Sequence, residues 1–222
     1  MLLNLPETTI YGKKVPKQNF YENPSMTPAL KRLFIDQVHS IVWQNKISPF
    51  TVNVGTGTYV SEIEIIHIQL NSYDLDKKVL QFIDKTIPYH ILFLLEYRNE
   101  IQARISFKEE SQKAGTFKIG TYYQTDWLSP SQFDLRLEGL SMDSVYENFV
   151  YQIAGDRLNF DTDAGKTEPE TLKDAVILDG KRQKILNEIA ALNNKIDKEK
   201  QFNRQTELFS QVKLKRKELE EL

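Results

Sequence analysis

The C-terminal stretch constrains the fold of this chain most, because residues 181–222 contain neither glycine nor proline. These two residue types are the strongest breakers of helices, so the stretch predicts a long helical arm. The arm carries eleven lysines and arginines against seven aspartates and glutamates, a net charge of +4, and the rest of the chain has a net charge of −6. A basic helix on an acidic body favours oriented docking onto a partner, although a solvated helix face would carry the same charges.

Apolar residues of the arm form a seam at heptad spacing. The residues assigned to a partner-binding seam are Ile185, Ile189, Leu192, Ile196, Phe202 and Phe209. The first four step by four, three and four, and the last two continue the seam only after three inserted residues. Two shapes fit, either one continuous helix of about 60 Å or a helical hairpin folded between Asp197 and Asn203. The absence of glycine and proline at the break favours the continuous helix, and we expect its seam to be left uncovered by the rest of the chain.

Basic residues of the arm are candidates for contact with phosphate or with an acidic surface. They are Lys198, Lys200, Arg204, Lys213, Lys215, Arg216 and Lys217. Because counterion release scales with the number of phosphates engaged, any binding of nucleic acid through them would be weak, sequence-tolerant and sensitive to salt.

The composition is that of a globular protein, with 40% hydrophobic and 27% charged residues among 222. This length allows one domain of ordinary size plus an extension. The absence of cysteine excludes disulfides, thiolate zinc sites and a cysteine nucleophile. No window approaches the roughly 18 consecutive apolar residues of a membrane span. The first residues lack the early positive charge and apolar run of a signal peptide, so a cytoplasmic location is expected.

Periodicity predicts an α+β body with a mostly antiparallel sheet of about five strands covered by helices. Helices are predicted at Pro28 to about Asn45, Asp74 to Pro88 and Ser141 to Ala154. Strands are predicted at Thr51–Val54, Glu62–Leu70 with a bulge near Ile65, Tyr89–Tyr97, Glu100–Lys108 and Thr116–Thr125. The segment from Asn4 to Asn23 is interpreted as an irregular strap. The predicted boundaries are a body at 1–155, a linker at 156–174 and the helical arm at 175–222.

A two-residue turn at Arg98 and Asn99 is predicted to join two of these strands as a hairpin. This loop length fixes the register, which pairs Glu96 with Ile101, Leu94 with Ala103 and Leu92 with Ile105.

Motifs for catalysis, cofactors or metals are weak. Ala164 to Thr167 is similar to the end of a phosphate-binding loop, but Phe160 stands where the first glycine should be. Gly55 and Gly57 lack the third glycine of a dinucleotide fingerprint. The histidines are scattered, and a metal site at His67 with Glu62 or Glu64 competes with ordinary strand positions. Tyr122, Tyr123 and Trp127 could stack nucleobases, but strand aromatics are more often core. We therefore assign no catalytic, cofactor-binding or metal-binding residue.

An enzyme is the main alternative from another functional class. A divergent metal-dependent nuclease or nucleotide-processing enzyme would use Glu62, Glu64, Glu96 and Arg104. Convergence of these side chains in one cleft would support catalysis, and their dispersal would argue against it.

Six segments of the chain resemble domain-of-unknown-function family 4391. They are Asn4–Pro6, Ile87–Phe93, Tyr122–Trp127, Leu137–Leu140, Val145–Phe149 and Glu199–Asn203. The resemblance covers nearly the whole chain in order, and it supplies no catalytic residues. It implies an accessory component encoded beside helicases and DNA methyltransferases in bacterial restriction or phage-defence clusters. The leading hypothesis is thus a non-catalytic adaptor that binds such a protein through its arm, and a homodimer joined by the arm remains a third possibility.

Overall fold

A mixed sheet of six strands forms the centre of the body in the computed structural model, which describes residues 5–110, 117–159 and 169–222. The strands are β1 (Ile10–Lys14), β2 (Val38–Ile47), β3 (Ile63–Leu70), β4 (His90–Tyr97), β5 (Glu100–Glu110) and β6 (Phe117–Gln124). They lie side by side in chain order, and every neighbouring pair is antiparallel except β3 with β4. The predicted α+β class with a mostly antiparallel sheet is confirmed.

Seven α-helices accompany the sheet within the described residues. They are α1 (Lys17–Tyr21), α2 (Pro28–Gln37), α3 (Pro49–Val52), α4 (Lys77–Thr86), α5 (Met142–Ala154), α6 (Leu172–Ile196) and α7 (Phe202–Glu220). Short 3-10 helices occur at Glu7–Thr9 and Gly155–Arg157. The chain divides into two compact units, the body at Met1–Gly155 and the arm unit at Asp156–Leu222.

Helices α2 and α4 cover one face of the sheet. Phe34 of α2 and Leu80 of α4 belong to one buried cluster with Ile66, Ile68 and Phe93 of the two parallel strands. Helix α4 connects those strands, because a parallel pair needs a crossover of this length. The Asp76 side chain caps the helix by accepting a hydrogen bond from the Lys78 amide, so the cap lies two residues after the predicted helix start.

The predicted helix from Pro28 to Asn45 is half wrong. The helix begins at Pro28 with Thr27 as its cap, but it ends at Gln37, and β2 follows without a break. β-branched and aromatic residues are frequent in this strand, and its pairing with β3 outweighs a helical spacing that continues through Val42. The register shift predicted near Ile65 lies on the opposite strand, between Trp43 and Asn45.

Two other local predictions fail for local reasons. The sequence predicts a strand at Thr51–Val54, but Thr51 and Val52 end helix α3 and the next two residues follow it. The helix forms here because Ser48 makes a capping box and Pro49 is the first helical residue. The N-terminal segment interpreted as an irregular strap contains edge strand β1 and helix α1. Pro16 precedes α1 directly, so proline separates these elements rather than excluding them.

The hairpin of β4 and β5 has the predicted register. Leu92 pairs with Ile105, Leu94 with Ala103 and Glu96 with Ile101. The positive φ that this turn requires falls on Arg98, at 55°. Loop length and side-chain alternation therefore suffice to fix a hairpin register.

A bulge in β5 is held by helix α5 on the other face of the sheet. The register of β5 with β6 shifts between Ser106 and Lys108. At this point the Tyr146 hydroxyl donates to the Ser106 carbonyl (2.5 Å) and accepts from the Lys108 amide (3.0 Å). One buried tyrosine thus provides hydrogen-bond partners for two backbone groups beside the bulge. Buried backbone groups require such partners.

The loop that contains Gly55 and Gly57 surrounds a carboxylate of the chain itself. Asp143, in the first turn of α5, accepts hydrogen bonds from the amides of Thr58 (2.6 Å), Tyr59 (3.1 Å) and Val60 (2.8 Å). A Cβ at Gly57 would lie 2.3 Å from Asp143 Oδ1, so only glycine fits. The loop therefore has a structural role, as its incomplete fingerprint indicated.

We expect Asp143→Ala to lower the free energy of unfolding by about 2 to 4 kcal/mol, because three amides lose a charged acceptor at once. Urea unfolding measures the loss. Asp134→Ala is the matched control, since Asp134 is exposed and forms its ion pair with Arg136, two residues away. Equal stabilities of the two variants would contradict the structural role of this loop.

The arm is a helical hairpin. Helix α6 begins at Leu172, three residues before the predicted start of the arm, and ends at Ile196, and α7 packs back against it. The continuous helix favoured by the sequence is therefore wrong, and the hairpin alternative is correct. Glu199 explains a turn without glycine or proline, because its carboxylate accepts from the amides of Lys200 (2.8 Å) and Gln201 (2.9 Å). These bonds hold the backbone of the two residues that precede α7.

Candidate functional site

The four residues of the proposed enzyme site are dispersed over the sheet. Glu62 directly precedes β3 and Glu64 is its second residue, whereas Glu96 lies near the end of β4. The parallel register pairs Glu64 with Ile91. Glu96 lies five residues after Ile91, which is about 16 Å along the strand, and this odd spacing puts it on the opposite face of the sheet from Glu64. Arg104 lies on β5 opposite Phe93. The structure brings Glu62 and Glu64 together, and it does not join them with Glu96 in one cleft.

The Glu62 and Glu64 pair is neutralised within the chain. Trp43 Nε1 donates to Glu64 Oε2 (2.7 Å), and Lys46 Nζ lies 2.8 Å from Glu62 Oε2. Burial, together with the neighbouring Glu62, raises the pKa of Glu64 to about 7. A carboxyl of such pKa suits acid–base chemistry, but its side chain is fully enclosed and has no access to a substrate.

Histidines give no metal site within residues 5–110, 117–159 and 169–222, where no group of three or more acidic or histidine side chains could hold an ion. His67 lies 2.8 Å from Glu96, across the parallel strand pair and away from the Glu62 and Glu64 carboxylates. His90 is buried against the Tyr146 ring, with ring centres 4.4 Å apart. The loop-like motif at Ala164 to Thr167 lies outside the described residues.

The aromatic residues weighed for base stacking occupy three different environments. Tyr123 is fully buried, and the Tyr122 hydroxyl donates to Asp84. Trp127 is half-buried and touches Tyr73, with ring centres 5.1 Å apart. Of the three, Tyr122 and Trp127 are partly buried and Tyr123 is enclosed, so they do not form one exposed stacking surface.

The seam assigned to a partner is covered by the arm itself. Ile185, Ile189 and Ile196 are buried and pack with Val212 of α7, and Leu192 is partly buried beside them. The expectation of an uncovered seam is wrong, because the helical hairpin brings a second apolar helix against the first. A partner would have to bind elsewhere on the arm.

Two phenylalanines that the sequence placed in the seam lie outside it. The side chains of Phe202 and Phe209 are 79% and 57% exposed. Their spacing of seven residues puts them on one face of α7, and Lys213 and Arg216 fall within about 60° of them around the helix axis. We call these four residues the aromatic–basic stripe. Within the described part of the chain, neither of its cations forms an ion pair.

The remaining basic residues of the arm are in different situations. Lys215 is bound by Glu188 (2.8 Å) and Glu218 (2.7 Å), and Lys217 lies 3.6 Å from Glu221. Other cations surround the hairpin turn, where a cavity of about 420 Å³ opens. It is lined by Lys195, Lys198, Glu199, Arg204, Glu207, Leu208 and Gln211. The predicted phosphate contacts are therefore not one continuous surface.

Both the body and the arm are covered by one family model. Residues 3–219 match the model of the family described as Domain of unknown function (DUF4391). The chain belongs to this family. No curated protein and no solved structure matches the chain. Because the family match ends at residue 219, one residue before the end of α7, the aromatic–basic stripe lies within the family's domain.

No helix among the described residues is both long enough and apolar enough to cross a membrane. The long helices of this member of the family are α6 and α7, and their apolar residues are interrupted by charges at most turns.

Proposed function

We propose that the chain is a non-catalytic adaptor subunit of a bacterial DNA-targeting system, and that it binds an acidic protein partner through the aromatic–basic stripe of α7. The observation that carries this proposal is the exposure of Phe202 and Phe209 on one helix face. Full burial of one phenylalanine contributes about 1.5 to 3 kcal/mol, so leaving two of them in water favours an occupant.

The charges of the stripe define the partner chemistry. Lys213 and Arg216 continue the row of the two phenylalanines toward the C-terminal end of the helix. An amphipathic helix with apolar residues at the phenylalanines and carboxylates at the cations would complement both parts of the row. The resemblance to family 4391 supplies the partner class, a DNA helicase or DNA methyltransferase of a restriction or phage-defence cluster.

An adaptor role also agrees with the chemistry of the body. The acidic residues considered for catalysis are dispersed, and the glycine loop surrounds Asp143 rather than a free cavity. A divergent nuclease would need these groups in one place, so the adaptor is the better supported of the two functions.

We expect the double variant Phe202→Ser with Phe209→Ser to lose at least tenfold in affinity for the proposed helicase or methyltransferase partner. The reason is that two buried aromatic anchors would supply most of the binding energy. Calorimetric titration of the purified pair measures the change. The matched control is Leu214→Ser, because Leu214 is 68% exposed on the same helix but points about 120° away from Phe202.

Equal affinities of the double variant and the control would overturn the stripe as the binding surface. Lys213→Glu with Arg216→Glu should weaken binding and reduce its dependence on salt. Light scattering tests the homodimer alternative by measuring the mass of the chain in solution. A dimer mass that falls to the monomer mass in the phenylalanine double variant would show that a second copy of this chain binds the stripe.

A further inference from the structure

Three aromatic rings meet at the body surface where the parallel strands β3 and β4 end. Tyr73, in the loop after β3, has its ring centre 4.7 Å from that of Tyr97 and 5.1 Å from that of Trp127. The planes are inclined by 64° and 86°, so the rings meet edge to face. Tyr97 and Trp127 also pack against the buried core, which holds them in place, whereas Tyr73 is 41% exposed.

One arginine lies beside these rings, and a second is linked to their surroundings through Gln102, whose side chain donates to the carbonyl of Thr125, two residues before Trp127. The Arg98 guanidinium lies 5.2 Å from the centre of the Tyr97 ring. Arg104 is half-buried on the face of the sheet that α4 covers, and its Nε donates to Gln102 Oε1 (2.8 Å). We call the three rings and these two cations the aromatic–arginine patch.

Arg104 differs in its partners from two other cations of the body, Lys108 and Lys46. Lys108 lies 2.7 Å from Asp84, and Lys46 lies 2.8 Å from Glu62. No acceptor for the two terminal nitrogens of Arg104 occurs among residues 5–110, 117–159 and 169–222. Burial lowers the pKa of this guanidinium, and the charge of Asp74 acts in the opposite direction. A partly desolvated cation without a carboxylate in hydrogen-bonding contact is costly, so an anionic ligand would complete its environment.

We propose that the aromatic–arginine patch binds single-stranded nucleic acid. Bases stack on the exposed part of the Tyr73 ring beside Trp127, and a backbone phosphate accepts hydrogen bonds from Arg104. Stacking on aromatic side chains tolerates any base sequence, because every base presents a flat face. Duplex nucleic acid is disfavoured, since its base faces are already stacked within the helix. This contact lies on the body and is independent of the partner surface on α7.

Asp74 provides an internal check on this assignment. Its carboxylate is close enough to influence Arg104 and carries the same sign of charge as a phosphate. Asp74→Asn should therefore tighten the binding of nucleic acid. Binding of an acidic protein to the aromatic–basic stripe on α7 should not change in this variant.

The test uses the full chain and a fluorescein-labelled twelve-nucleotide thymidine oligonucleotide, with fluorescence anisotropy at low salt. We expect Tyr73→Ala and Arg104→Gln each to weaken binding about tenfold, and Tyr73→Phe to retain it because the ring remains. The matched control is Tyr11→Ala, since Tyr11 also pairs a half-exposed ring with a tryptophan and a lysine but lies on β1. Thermal unfolding of each variant checks that it is folded.

An abasic oligonucleotide of the same length separates stacking from charge. We expect the abasic oligonucleotide to bind at least tenfold more weakly. In the variant Trp43→Phe, Trp127 is the remaining tryptophan, and we expect the abasic oligonucleotide to leave its fluorescence unchanged. Equal binding of the two oligonucleotides, or unchanged binding of the Tyr73 and Arg104 variants, would overturn the proposal. Loss of binding only in Lys213→Glu with Arg216→Glu would assign the contact to the arm instead.

Discussion

Lys108→Met is expected to lower the free energy of unfolding by about 3 to 5 kcal/mol, because it leaves a buried carboxylate without its cation. The side chains of Lys108 and Asp84 are both fully enclosed, with Nζ 2.7 Å from Oδ1. Asp84 also accepts hydrogen bonds from Ser106 Oγ (2.7 Å) and from the Tyr122 hydroxyl. This cluster joins α4 to two strands of the sheet, so its loss affects the whole body. Urea unfolding at pH 7 measures the effect.

Two further variants separate charge burial from packing. Lys108→Met combined with Asp84→Asn should recover much of the lost stability, since no unpaired charge is then enclosed. Lys215→Met removes an ion pair of similar length from the arm, and it should change stability little because water reaches that pair. A double variant as unstable as Lys108→Met alone would show that packing, rather than charge, dominates at this site.

Glu64→Gln is expected to stabilise the protein by about 3 kcal/mol at pH 8 and to leave it unchanged at pH 4. The pKa of Glu64 is about 7 in the folded chain, above its ordinary value of 4.5. The folded state therefore binds a proton that the unfolded state has lost, and stability falls as pH rises from about 4.5 to 7. Glutamine keeps the acceptor for Trp43 and has no charge to bury.

Urea unfolding at pH 4, 6 and 8 measures this dependence, and Glu138→Gln is the control at an exposed carboxyl. His90 gives the opposite sign, since burial lowers its pKa to about 3 and stability falls as pH drops below about 6.5. In the wild type these two groups cancel between about pH 4.5 and 6.5. Removing Glu64 should expose the His90 slope there, and a variant with the wild-type pH profile would contradict the assignment.

Local patterns predicted those parts of the fold that local interactions determine. The β4 and β5 register follows from a two-residue turn and alternating side chains. Helix α5 begins after Ser141 and ends before Gly155, as its cap and terminating glycine indicate. Neither feature depends on a residue distant in the chain.

The remaining errors arise where distant residues decide the structure. Strand β2 continues a helical spacing, and only its pairing with β3 makes it a strand. The arm turns where Glu199 accepts hydrogen bonds from two amides just before α7, and the resulting hairpin hides the seam and leaves Phe202 and Phe209 outside. The aromatic–arginine patch joins Tyr73 to Trp127 across 54 positions of the sequence, a proximity that periodicity cannot reveal.

The outermost strand β1 also determines how copies of this molecule behave when crowded together. All five of its residues are exposed, and its register shifts between Ile10 and Lys13. A straight apolar strand at the edge of a sheet would pair with strands of other molecules and promote aggregation. Adjacent lysines at positions 13 and 14 place two ammonium groups along β1, and the register shift bends this strand. Fibril growth from this side is thereby opposed by electrostatic repulsion and by shape.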